Sequence, residues 1–163
     1  MKIKKRLAAF CLTSALIGQG TLMEKPLLGC ARVVGKSCEP VIHDLSEVVF
    51  SSVPLRLGLL DRKDFIIAKV GDENYLKRIE GIPGDTVVQT FNGIYLNGEK
   101  IYEYNFTNNS GLTEYPRFRE TKLAEDEYFL IGPNIYNSHD SRYFGPLKRK
   151  DICGKVITTF QNQ

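Results

Sequence analysis

Short runs of β-branched and aromatic residues, separated by turn sequences, make up most of the chain after residue 23. Runs of this kind are typical of β-strands bounded by turns. They comprise residues 48–50, 65–70, 86–90, 94–96, 128–131 and 156–160. Asn92-Gly93 lies between two of these runs and predicts a β-hairpin, because both residues tolerate a positive φ. The sequence therefore predicts a mostly β fold, and its 163 residues are the size of one domain.

The N-terminus has the pattern of an export signal or signal anchor. A basic stretch, residues 1–6, precedes an apolar run, residues 7–18, that continues more weakly to Met23. A membrane-spanning helix needs about 20 mostly apolar residues, so this run is barely long enough. We predict a membrane anchor helix at residues 1–23, in the inner (cytoplasmic) membrane, with its basic flank in the cytoplasm. Residues 24–163 then form a periplasmic or extracytoplasmic domain; a buried helix of a cytosolic protein is the alternative.

Charge and cysteine content narrow the range of partners. The formal net charge is +3, and part of this excess lies in the N-terminal basic stretch, which argues against a nucleic-acid partner. The chain has no Cys-x-x-Cys pattern, so we expect no zinc or other metal site. In an exported chain Cys30 and Cys38 are the natural candidates for a disulfide, but the sequence does not fix how these two and Cys153 are paired.

A hydrolase without a metal needs a nucleophile and a base. The histidines, His43 and His139, are not in a Gly-x-Ser-x-Gly nucleophile elbow, which the chain lacks. Serine with lysine is the other known pairing, provided that burial keeps the lysine neutral. Lys77 lies in an apolar stretch, and strand alternation would place it on one face with Tyr75 and Ile79. From this pattern alone, a surface lysine on an amphipathic strand explains the residues better.

Three longer segments, the third in two parts, favour the serine–lysine pairing instead. Residues 34–40 read Val-Gly-Lys-Ser-Cys-Glu-Pro, and residues 76–85 read Leu-Lys-Arg-Ile-Glu-Gly-Ile-Pro-Gly-Asp. Residues 132–134 read Gly-Pro-Asn, and residues 137–146 read Asn-Ser-His-Asp-Ser-Arg-Tyr-Phe-Gly-Pro. In this order they resemble the signature boxes of the signal peptidase I family, peptidase family S26.

The resemblance implies a role for each matching residue. Ser37 would be the nucleophile and Lys77 its general base. Ser138 would orient the lysine, as a third group does in a catalytic triad. Asp140 and Arg142 match a pair that supports the same loop, and we interpret them as structural.

The segment around the nucleophile departs from the family pattern. The resemblance implies that Cys38 and Pro40 contribute to the substrate cleft, but Cys38 replaces the usual Met, which affects the expected cleavage specificity. Gly35 occupies a position where some family members have a serine that assists the oxyanion hole. The hole would then depend mainly on the backbone N–H of Ser37, and loss of one such donor costs about 10²–10³ in rate. Pro133 replaces an Asp of the family.

The fold and function follow from the same resemblance. We expect a signal-peptidase-like β-sheet catalytic domain that acts as a membrane-bound serine endopeptidase and needs no cofactor. Its partners would be the membrane and exported precursors that carry signal peptides, bound as an added strand. Two alternatives stay open: a dedicated peptidase for a pilin or secretion-system precursor, and a catalytically inactive peptide-binding module on the same fold.

Ser52 is a second candidate nucleophile. Its Ser-Val-Pro sequence resembles the Ser-x-Pro of pilin-processing relatives from conjugation systems. Ser52 lies only 25 residues before Lys77, whereas Ser37 lies 40 residues before it, a spacing similar to that of compact family members. We therefore favour Ser37.

Overall fold

The computed structural model describes residues 25–104 and 118–161. The predicted anchor, residues 1–23, lies outside the described residues. Within the two described ranges, no helix is both long and apolar enough to cross a membrane.

The described residues form two antiparallel sheets. The strands are β1 (Leu28–Arg32), β2 (Glu47–Ser51), β3 (Phe65–Val70), β4 (Glu73–Gly81), β5 (Thr86–Thr90), β6 (Gly93–Leu96), β7 (Glu99–Glu103), β8 (Arg119–Lys122), β9 (Glu127–Ile131), β10 (Leu147–Lys148) and β11 (Ile152–Phe160). The larger sheet has the order β1-β2-β11-β3-β4-β9-β10, and the smaller has the order β7-β6-β5-β8. The predicted mostly β fold is confirmed, and each predicted run lies within a strand.

The helices of the described ranges are short and lie in the connections. The α-helices are α1 (Val53–Arg56) and α2 (Ser141–Phe144). Single 3₁₀ turns occur at Ile135–Asn137 and Arg149–Asp151.

The hairpin at Asn92-Gly93 is confirmed, with a one-residue difference in its turn. Thr90 pairs with Gly93, so Phe91 and Asn92 form the turn and Gly93 begins β6. Gly93 has a φ of 156°, and a Cβ there would lie 2.1 Å from the backbone oxygen of Tyr102. Glycine is required at this position because β7 passes too close for a side chain.

The apolar side chains form three clusters around the sheets. Alternation along β3 separates two of them: Ile66 and Ala68 face one cluster, and Ile67 faces another. A third cluster contains residues of the smaller sheet and of β9. The second cluster also contains Val33, Cys38 and Ile42, so the segment between β1 and β2 is packed onto the larger sheet.

The expected disulfide between Cys30 and Cys38 is not formed. Both are free cysteines, Cys30 exposed and Cys38 buried. Cys30 is held opposite Val49 in the β1–β2 ladder, whereas Cys38 packs into the second cluster. The two thiols are therefore fixed in different environments.

Candidate active site

The turn that follows β1 holds Ser37. Gly35 has a φ of 107°, a conformation that favours glycine, and its N–H donates to Asp44 Oδ1 at 2.7 Å. After the serine, the N–H of Ile42 donates to the Cys38 oxygen at 2.9 Å, and Cys38 itself is fully buried. Packing and hydrogen bonds on both sides thus fix Ser37, which is only 2% exposed.

Lys77 lies in β4, an interior strand of the larger sheet. It pairs with Ile66 of β3 and is 0% exposed. Its Nζ is hydrogen-bonded to Ser37 Oγ at 2.8 Å. Burial lowers the pKa of Lys77, because the charged form loses its hydration. The structure therefore joins the two residues that the sequence paired and places the amine where its neutral form is favoured.

Gly132 allows the end of β9 to approach the backbone of Ser37 closely. Arg78 pairs with Ile131 across β4 and β9, so Gly132 follows directly beside Lys77 in register. A Cβ on Gly132 would lie 2.6 Å from the Ser37 oxygen and 2.3 Å from Ser138 Oγ. A side chain here would clash with the backbone of Ser37 and with the side chain of Ser138. From the sequence, this glycine is part of a segment that resembles the family pattern, but no role was predicted for it.

The loop after β9 is fixed by a buried ion pair. Arg142 Nε donates to Asp140 Oδ1 at 2.8 Å, and both side chains are nearly inaccessible. Asp140 Oδ2 also accepts from the N–H of Gly132 at 3.1 Å, and Arg142 Nη2 donates to the Ser138 oxygen at 3.2 Å. Although burial alone would lower the pKa of Arg142, the adjacent Asp140 raises it, so the guanidinium keeps its charge in the buried loop.

Ser138 lies in the same loop, but its hydroxyl is not bonded to the lysine. Its Oγ is buried and makes no hydrogen bond within the described residues. It lies against Gly132 instead. The predicted lysine-orienting role of Ser138 therefore stays a prediction.

The residues predicted to shape the substrate cleft lie at different depths. Cys38 packs beneath Ser37, with its Sγ 3.9 Å from Ser37 Oγ and 3.3 Å from the Leu76 oxygen. Pro40 is exposed and lines a surface depression together with Pro133 and the next residues of the loop after β9. Their contact with a substrate stays a prediction.

An aromatic group lies on the other side of the lysine. The centroid of the Tyr75 ring is 5.5 Å from Lys77 Nζ, in agreement with the shared face that strand alternation predicts. Tyr75 also contacts His139, which is exposed and stacks on Tyr143 at 5.1 Å between ring centroids. His139 thus extends an aromatic surface.

Ser52 lies in a different part of the sheet from Lys77. It follows β2, and β11 and β3 separate β2 from β4, a distance of about 14 Å at the usual strand spacing. Ser52 is buried, and its Oγ donates to the Lys25 oxygen at 3.4 Å. Its role in this structure is to begin α1 and to hold the N-terminal end of the described chain.

Comparisons with known proteins show the family to which the chain belongs. The chain matches the family model described as signal peptidase, peptidase S26, over residues 4–161. The chain belongs to this signal peptidase family. Signal peptidase I of Bacillus amyloliquefaciens is 33% identical over 129 residues, which are 75% of this chain and 70% of the relative. Signal peptidase I S of Bacillus subtilis is 32% identical over 130 residues, covering 75% and 71%.

A solved signal peptidase I from Enterococcus faecalis is 28% identical and covers 61% of this chain and 97% of that chain, with a TM-score of 0.47. Membership of the signal peptidase family makes this chain a serine endopeptidase, a hydrolase. The Ser37–Lys77 pair lies inside the matched range. No group of His, Cys, Asp and Glu residues in the described ranges is arranged to hold a metal ion.

Proposed function

We propose that this member of the signal peptidase family removes signal peptides from exported precursor proteins with a Ser37–Lys77 dyad. One observation carries the assignment of the dyad: a fully buried lysine amine lies 2.8 Å from a serine hydroxyl. The amine makes no ion pair with a carboxylate in the part of the chain that the structure describes. A buried lysine without a counter-ion is favoured as a neutral base.

In the acylation step, neutral Lys77 accepts the proton of Ser37 as Oγ attacks the scissile carbonyl carbon. The Ser37 N–H donates to the oxygen that gains negative charge. When the C–N bond breaks, the Lys77 ammonium returns the proton to the leaving amine, and an ester to Ser37 remains. Lys77 then deprotonates a water molecule that hydrolyses the ester, and the proton passes back to Ser37.

The substrate and location follow from the relatives and from the N-terminal pattern. The curated relatives are named signal peptidases, and the substrate would be an extended segment with small side chains before the cut. Residues 1–23 would hold the domain at the outer face of the cytoplasmic membrane, where the apolar part of the precursor lies in the bilayer. A small set of accepted precursors would instead indicate the dedicated pilin-type peptidase.

The test is cleavage of a synthetic signal-peptide substrate by the full chain in detergent. We expect Ser37→Ala to lower kcat/KM by about 10⁴-fold or more, because it removes the nucleophile. Ser52→Ala is the matched control: it removes another buried serine hydroxyl and should leave kcat/KM close to that of the wild type.

Two results would contradict the dyad. Loss of cleavage in Ser52→Ala with activity retained in Ser37→Ala would move the nucleophile to Ser52. If the wild type cleaves neither the synthetic peptide nor any of a panel of exported and pilin precursors, yet binds them as well as Ser37→Ala does, the chain is a binding module.

A further inference from the structure

The proposed reaction needs a donor for the oxyanion, and the choice near the nucleophile is narrow. Gly35 has no hydroxyl, and its N–H already donates to Asp44 Oδ1. A serine at position 35 would also be strained, because φ is 107° there. The Ser37 N–H is therefore the donor that the proposed function uses, and its strength and aim limit the rate.

Asn134 holds both peptide groups that flank the Cα of the nucleophile. Its side-chain Nδ2 donates to the Lys36 oxygen at 3.1 Å. Its backbone N–H donates to the Ser37 oxygen at 3.0 Å. The first contact matters more, because the Lys36 carbonyl and the Ser37 N–H belong to the same peptide group.

That peptide group is planar and trans, so its N–H points away from its carbonyl oxygen. The Lys36 oxygen accepts from Asn134 Nδ2 and, at 3.2 Å, from the Glu39 N–H, and hydrogen bonds on the carbonyl side fix the direction of the N–H. They also polarise the group, because hydrogen bonds in a chain strengthen one another in a low-dielectric setting. Asn134 therefore acts on the oxyanion donor, the Ser37 N–H, through the carbonyl on the opposite side of the same peptide group.

The position of Asn134 is itself fixed. It lies two residues after Gly132, whose N–H is held by Asp140 Oδ2 and whose missing side chain allows the close approach to Ser37. The buried pair of Asp140 and Arg142 thereby anchors the loop on which Asn134 lies.

We propose that Asn134 is a positioning residue of the oxyanion hole: it orients and polarises the Lys36–Ser37 peptide group so that one backbone N–H stabilises the transition state. This inference rests on the proposed function of Ser37. It assigns to Asn134 an effect on the transition state and not on the binding of the uncleaved substrate.

The experiment uses the full chain in detergent with the variants Asn134→Ala and Asn134→Asp. Asn134→Ala removes the donor, and Asn134→Asp keeps the side-chain size while replacing the amide by an acceptor. We expect kcat to fall about tenfold in each, since the donor to the oxyanion is weakened but not removed. KM should stay unchanged. Affinity for a peptide aldehyde, whose adduct with Ser37 places an oxygen in the hole, should fall by the same factor as kcat/KM.

Asn97→Gly is the matched control. It removes a side-chain amide that donates to Asp85 Oδ1 at 2.8 Å in the β6–β7 turn, and glycine tolerates the φ of 50° there. It should lower the unfolding temperature and leave kcat and aldehyde affinity unchanged. The inference is overturned if the Asn134 variants keep wild-type kcat, or if substrate and aldehyde binding weaken equally. Cleavage by Ser37→Ala would overturn the proposed function itself, whereas an inactive Ser37→Ala beside fully active Asn134 variants would overturn only this inference.

Discussion

Strand β4 buries two charged residues three positions apart, and their surroundings are opposite. Lys77 is 0% exposed and Glu80 is 1% exposed. Glu80 accepts from Arg78 Nε at 2.7 Å, from the Tyr102 hydroxyl at 2.8 Å and from Lys63 Nζ. Lys77 has the Ser37 hydroxyl and, in the described ranges, no carboxylate within ion-pair distance; Asp140 raises its pKa by less than burial lowers it.

The difference separates a structural charge from a reactive one. A buried carboxylate that accepts hydrogen bonds from two cationic side chains and a hydroxyl has partners for its charge and ties its neighbours together. A buried amine without a counter-ion is favoured in its neutral form, which is the form that a general base requires. Burial alone does not identify a catalytic group; the hydrogen-bond partners decide.

The strongest test removes the reactive member of this comparison. Lys77→Met keeps the length of the side chain without its amine. We expect cleavage of the signal-peptide substrate to fall by about 10⁴-fold or more, because Ser37 loses its base. Substantial cleavage by this variant would show that another group deprotonates the serine.

Lys77→Met should lose activity but gain stability. Because the pKa of Lys77 is lowered from its unfolded value of about 10.4, the unfolded chain binds more protons between the folded and the unfolded pKa. The wild type therefore gains stability as pH rises through that window. Lys77→Met has no such gain, so its advantage in the free energy of unfolding should be largest below the folded pKa of Lys77 and shrink as pH rises toward the unfolded pKa. A difference that does not vary with pH would contradict the lowered pKa.

Removing Glu80, the structural member of the comparison, should lower stability and leave activity unchanged. Glu80→Ala leaves Arg78 in a largely buried site without its carboxylate, and we expect a loss of about 3 kcal/mol in the free energy of unfolding. The rate per folded molecule should stay unchanged, because Glu80 makes no contact with Ser37 or Lys77. Chemical denaturation with activity assays on the folded fraction checks both; a fall in kcat without a loss of stability would mean that the two charges are coupled.

The parts of the fold that the sequence did not predict share one property. The strands β1 and β10 are the edges of the larger sheet, and β7 and β8 are the edges of the smaller one. Edge strands need no apolar side chains on both faces and are often charged, as in the Arg-Glu-Thr-Lys of β8. Hydrophobic runs therefore identified the interior strands except β4, which carries several charged residues, and missed the edges, whose pairing is set by their neighbours.

The candidate site, like the fold, was predicted only in part from the sequence. Ser37 and Lys77 came from motif resemblance, and strand alternation placed Tyr75 beside the lysine. Asn134 and Gly132 were quoted in the motif without a role, because their function depends on contacts with a segment about a hundred residues earlier in the chain. Such contacts come from the packing of the loop after β9 and are not encoded in local spacing.

The smallest expected effect concerns the outer partner of Glu80. The side chain of Lys63 is 61% exposed, and Glu80 keeps Arg78 and Tyr102 when Lys63 is removed. We expect Lys63→Met to cost about 0.5 kcal/mol in the free energy of unfolding, the order of an exposed ion pair, with the loss decreasing at high salt. Denaturation of the variant at low and high salt measures this. A loss as large as that of Glu80→Ala would mean that Glu80 depends on Lys63 alone, and the contrast between a carboxylate with several partners and an amine with one would then fail.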